Sequence, residues 1–71
     1  MMEKSFSLVA GERLRQLIKE YYSSQEEFAL DYPMDLRTVS RYVNNGITRI
    51  DTIQELAEFF KVPFITFFES T

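Results

Sequence analysis

Arg37 and Arg41 stand four residues apart, and on a helix that spacing puts both guanidiniums on one face. A guanidinium is a planar fork of donors. It matches the O6 and N7 acceptors of guanine, and such a pair discriminates against other bases by about 1–3 kcal/mol. The plainer possibility is a solvated helix face with local pairing, for instance Asp35 beside Arg37. Asn44 and Asn45 continue the segment and Arg49 follows in the next loop. Two adjacent asparagines before Gly46 suit a helix C-cap, and a cap can also turn backbone N–H groups toward a phosphate. Both roles are compatible.

Little else in the 71 residues carries chemistry. There is no Cys and no His, which excludes disulfides, thiolate or imidazole metal sites, and Cys- or His-based catalysis. Two Gly leave no glycine-rich phosphate loop. No apolar run reaches the roughly 18 residues of a membrane span, and no signal-peptide pattern opens the chain. The composition points to a cytoplasmic binding module without cofactor or metal, rather than an enzyme. Net charge is −3, unusual for a partner of nucleic acid, but the charge is segregated. Residues 35–49 carry Arg37, Arg41 and Arg49 against Asp35 alone, whereas residues 50–71 carry Lys61 against four acids.

The elements that must position these residues are short helices. Residues 1–7 read as a flexible tail. Leu14, Leu17, Ile18 and Tyr21 fall on one helical face, predicting a helix from about Leu8 to Tyr22, with Gly11 a weak point. Ser24 with Glu27 three residues on reads as a capping box for a second helix, whose apolar stripe is Phe28, Ala29 and Tyr32. Pro33 ends it, and Pro33-Met34-Asp35 forms a tight turn. A third helix spans about 36–44, with Val39, Tyr42 and Val43 inward. Thr48 and Asp51 predict another box, opening a helix through Ile53, Leu56, Ala57 and Phe60. A Phe-rich helix of about 63–69 closes the chain, with Pro63 in its first turn. The fold class is all-α: a single domain over 1–71, a compact five-helix bundle.

The segment of about 24–45 has the layout of a helix-turn-helix. Gly11-Glu12-Arg13-Leu14-Arg15, Ser24-Gln25-Glu26-Glu27-Phe28-Ala29, Thr38-Val39-Ser40-Arg41-Tyr42, Asn45-Gly46 and Asp51-Thr52-Ile53-Gln54-Glu55-Leu56-Ala57 follow one another in an order that resembles the Cro/cI (phage-repressor-like, XRE-type) helix-turn-helix family. The resemblance covers about Gly11 to Phe68. It implies a lambda-repressor-like fold and a sequence-specific transcriptional regulator, or the DNA-binding domain of a longer one, with the third helix in the major groove of double-stranded DNA. Carried across by position, Gln25 would contact a phosphate. Leu36, Arg37 and Arg41 would face base edges. Thr38, Ser40, Asn44 and Asn45 would touch backbone or flanking bases, and Arg49 would be a loop contact. Leu36 has a second reading as an apolar staple for the turn.

Three positions depart from the family pattern. Pro33 stands where glycine is usual, and Tyr42 where tryptophan is frequent. Ile18 and Val43 replace an Arg–Glu pair; replacing both partners together leaves no buried charge, so the first and third helices should still pack. Five of the seven Phe lie after residue 58, more than a short helix can bury. Ile65, Phe67 and Phe68 are therefore the expected contact of a homodimer, since two-fold readers need one. An alternative is a protein-interaction module on the same fold, antitoxin-like or a co-regulator, suggested by the acidity and the Phe-rich end.

Overall fold

The computed structural model describes residues 5–32 and 34–69. These form α1 (Phe6–Tyr21), α2 (Gln25–Asp31), α3 (Leu36–Asn45), α4 (Ile50–Phe60) and a 3-10 helix, η1 (Phe64–Phe68), with no strand among the described residues. The all-α reading holds, with one refinement: the last element is 3-10 rather than α. It is only five residues long and starts after Pro63. Its i to i+3 bonds run from the Thr66 N–H to the Pro63 carbonyl (2.9 Å) and from the Glu69 N–H to the Thr66 carbonyl (3.4 Å), a geometry used in short pieces.

Helix boundaries follow their caps. α1 starts two residues earlier than the apolar period implies, because the Ser5 hydroxyl accepts from the Leu8 N–H at 3.4 Å. Ser5, Phe6 and Ser7 are thus cap and first turn rather than tail; residues 1–4 lie outside the described residues, as does Pro33 at the expected turn. Ser24 caps α2 by accepting from the Glu27 N–H (3.2 Å). The Glu27 carboxylate reaches back past the cap to the Ser23 N–H (2.9 Å), so the box closes one residue further upstream than expected.

The second expected box does not form. Arg49, not Thr48, is the N-cap of α4, and no side chain caps that helix. Asp51 instead engages the Arg49 guanidinium at 3.2 and 3.4 Å and accepts from the Thr52 N–H at 3.1 Å. A charged donor two residues away competes well for a carboxylate, since charge-assisted bonds exceed neutral ones.

α1 packs most extensively on α3. Leu14, Leu17, Ile18, Phe28, Val39, Ile53 and Leu56 form one buried cluster with Ile47 and Phe67. Ile18 is buried and Val43 packs partly buried against the cluster, so the apolar replacement of an ion pair preserves the helix contact. Phe28 is the hub of the aromatic side. Tyr32 and Phe60 stack on it, each with centroids 5.5 Å away, and Tyr22 and Phe59 meet it edge-on. Such pairs add about 0.5–1.5 kcal/mol each beyond area burial.

Phe67 corrects a second expectation. It is 0 % exposed and sits in the core, so it has no surface to offer a partner. The 3-10 geometry turns its ring inward while Ile65 stays 63 % exposed and Phe68 half-buried. Arg13 of α1 fastens this element. Its Nε donates to the Thr66 carbonyl (3.1 Å) and a terminal nitrogen to the Glu69 carbonyl (3.3 Å), a cation set against the carbonyl end of a helix.

The glycines hold the trailing end of α3 against the start of α1. A Cβ on Gly11 would lie 2.5 Å from the Tyr42 carbonyl oxygen and 3.1 Å from the Gly46 Cα. Gly11 is therefore not a weak point of α1; its missing side chain lets two backbones touch. Gly46 has φ 99°, and a Cβ there would meet the Ser7 carbonyl oxygen at 2.7 Å. The Ile47 N–H donates to that same oxygen at 2.9 Å, and Ile47 is fully buried.

Candidate nucleic-acid interface

Val39 is fully buried and Tyr42 and Val43 partly so, which fixes the rotation of α3. Its opposite face therefore presents Arg37, Arg41, Asn44 and Asn45, all exposed. Their spacing of four, seven and eight residues from Arg37 makes one row along the helix. Among the described residues no side-chain hydrogen bond or ion pair engages Arg37 or Arg41. In particular, Asp35 does not pair with Arg37, and although it occupies the N-cap of α3 it makes no cap bond. Two unneutralised guanidiniums on a rigid helix are available to an acceptor outside the protein.

The first residue of α2 joins this surface. Gln25 and Ser40 are 15 residues apart, and the Ser40 hydroxyl donates to the Gln25 Oε1 at 3.1 Å. Sequence placed both as separate contacts; the fold couples them. With its carbonyl held, Gln25 keeps its amide nitrogen for an outside acceptor. Nothing in the spacing signals this bridge. Thr38 is half-buried on the same edge.

Past the end of α3, Arg41, Asn45, Thr48 and Arg49 border a cleft of about 280 Å³ whose wall includes Tyr42, Gly46 and Ile47. Arg49 is exposed and forked onto Asp51. The bonds to Asp51 hold the Arg49 guanidinium above its ordinary range, and those to Arg49 hold the Asp51 carboxyl below its own. Arg49 therefore offers less free charge than Arg41.

Leu36 is 38 % exposed. It lines a hollow with Leu30 and Met34, between α2 and the start of α3. Behind the interface, the Tyr22 hydroxyl donates to Asp31 Oδ2 at 2.5 Å, joining the ends of α1 and α2. That bond, with lesser desolvation and the carboxylate's charge, pushes the Tyr22 phenol up to about 12. Among the described residues there is no group of three or more potential metal ligands, and no helix long and apolar enough to cross a membrane.

A capped short helix, a turn, and a second helix with one face in the core and a polar, cationic face outside make a helix-turn-helix domain. A family model described as Helix-turn-helix matches residues 14–67, and the chain belongs to this Cro/cI-type family of DNA-binding domains. No curated protein and no solved structure matches the chain significantly.

Proposed function

We propose that the protein is a cytoplasmic, sequence-specific transcriptional regulator that inserts α3 into the major groove. The observation that carries this is the row of Arg37, Arg41, Asn44 and Asn45, without side-chain partners among the described residues, on a helix whose other face is locked in the core. Arg37 and Arg41 read base edges through bidentate bonds. Gln25, oriented by Ser40, donates to a phosphate, and Thr38 and Ser40 lie along the backbone. Asn44, Asn45 and Arg49 hold the next phosphates across the cleft at the end of α3. Leu36 stands at the leading edge of α3 and meets a thymine methyl only at the margin of the site. With few cations at the surface, non-specific binding is weak, since each neutralised phosphate contributes about 0.9 to the salt slope.

The working unit is a homodimer. Phe64 (40 % exposed), Ile65 (63 %) and Phe6 (46 %) stand out of the surface beside Phe68, and the Phe6 and Phe64 rings lie 6.1 and 4.9 Å from that of Phe68. This apolar patch supplies the contact, with Phe64 taking the place of buried Phe67. Half-sites would then lie about one helical turn, roughly 34 Å, apart. Repeated selection from random duplex DNA at two salt concentrations tests both points. Enrichment of a palindrome is expected. Absence of any enriched sequence at low salt, with folded protein, rejects the reading.

A further inference from the structure

A hollow of about 650 Å³ lies between α2 and the start of α3, more than twice the 280 Å³ cleft at the other end of α3. Its floor is apolar: Ala29, Leu30, Met34 and Leu36. Its rim is Glu26, Glu27 and Asp35, and among the described residues no lysine or arginine lines it. Leu30 is 85 % exposed. A solitary exposed leucine needs no explanation, but Leu30 and Leu36 share one concave surface, and a contiguous apolar patch with a polar rim marks an interaction site. α2 does not need Leu30 to fold, because Phe28 anchors it in the core and Ser24 caps it.

We infer that this hollow docks a cationic amphipathic segment of a partner protein. The segment's apolar residues lie on Leu30 and Leu36, and its lysines or arginines meet Glu26, Glu27 and Asp35. The charge of the rim selects this occupant. Nucleic acid and anionic lipid surfaces are repelled by three carboxylates. A second copy offers no match either, because its own exposed apolar patch at Phe64 and Ile65 is followed by Glu69. The hollow shares only Leu36 with the proposed DNA-reading edge of α3, and neither Arg37 nor Arg41 lines it.

The test is an NMR titration of the isotopically labelled full chain with a synthetic leucine–lysine peptide of helical amphipathic pattern. Saturable shifts centred on Ala29, Leu30, Met34 and Leu36 are expected. Combined Glu26→Lys and Leu30→Lys substitution should weaken binding at least about tenfold with the fold retained, although Tm falls slightly because Glu26 lies in the first turn of α2 and a cation there opposes the helix dipole. Leu30→Gln alone, which leaves all charge in place, should weaken it by a smaller factor. Three results overturn the inference: equal binding of a scrambled peptide of the same composition, shifts centred on another surface, or undiminished binding to the double variant.

Discussion

The two ends of α3 have opposite chemistry. Its leading end sits beside an acidic, apolar hollow walled by Glu26, Glu27, Leu30 and Asp35. Its trailing end borders a cleft with Arg41, Asn45, Thr48 and Arg49. The trailing end is also the better fixed. Gly11, Gly46 and the Ser7 carbonyl bring α1 into backbone contact with it, whereas the leading end leans on α2 through one side-chain hydrogen bond, Ser40 to Gln25. The net charge of −3 is thus a sum over surfaces of different local sign. What decides binding is the local balance over a few ångströms, because charges beyond about 10 Å are screened at 0.1 M salt.

The largest effect expected from disturbing this arrangement is at the trailing end. Gly46→Ala must place a side chain at φ 99° and against the Ser7 carbonyl. Backbone strain of about 1–3 kcal/mol and overpacking of about 1–3 kcal/mol both act against folding, and urea denaturation measures the loss. Gly11→Ala meets the Tyr42 carbonyl but gains helix propensity of about 1 kcal/mol, so it should destabilise by less. If Gly11→Ala stabilised the protein, the backbone contact at the trailing end would not be real.

Next in size is Arg41→Ala. Specific DNA binding should weaken by about 1–3 kcal/mol, with relaxed preference at one base position. An equal loss for specific and random DNA in a gel-shift titration would make Arg41 a phosphate contact. Ser40→Ala should follow, with a uniform loss of about 1 kcal/mol or less across sequences, because it frees Gln25 without touching a base. Asp51→Asn should raise DNA affinity slightly by releasing Arg49, with a steeper salt dependence as the readout.

The smallest effect concerns the tie that sets α2, and hence the leading end. Because the Tyr22 phenol titrates near 12 when folded against 10.0 for the free group, the Tyr22–Asp31 bond contributes stability below pH 10. That contribution fades as pH rises through the folded value. In Asp31→Asn the last phenol to ionise in an ultraviolet titration should move back toward 10. An unchanged titration would remove Asp31 as the anchor of α2.

Much of the fold was legible because the helices are short, amphipathic and locally capped. The stripe Leu14-Leu17-Ile18, the Ser24 cap and the stop at Gly46 each act over a few residues. The arginine row was legible for the same reason: helical spacing fixes which residues share a face. Misreadings fell where a neighbouring side chain outside the expected pattern, or packing between elements, decided the outcome. Ser5 opened α1 early, and Arg49 drew Asp51 away from a capping role. The 3-10 turn sent Phe67 into the core and left Ile65 outside. No local pattern distinguishes those two neighbours in an almost wholly apolar run.

By itself the sequence determined the all-α class, the order of helices, the helix-turn-helix and the exposed cationic face of α3. These depend on interactions within a turn or two of chain. Only the tertiary structure decided that Gly11 is a contact rather than a defect, that Ile47 is core, that Gln25 and Ser40 act together, and that Leu30 and Leu36 share an acid-rimmed hollow. Each of these joins residues from different elements. Their distances are set by how α1, α2 and α3 pack, which no spacing along a single helix encodes.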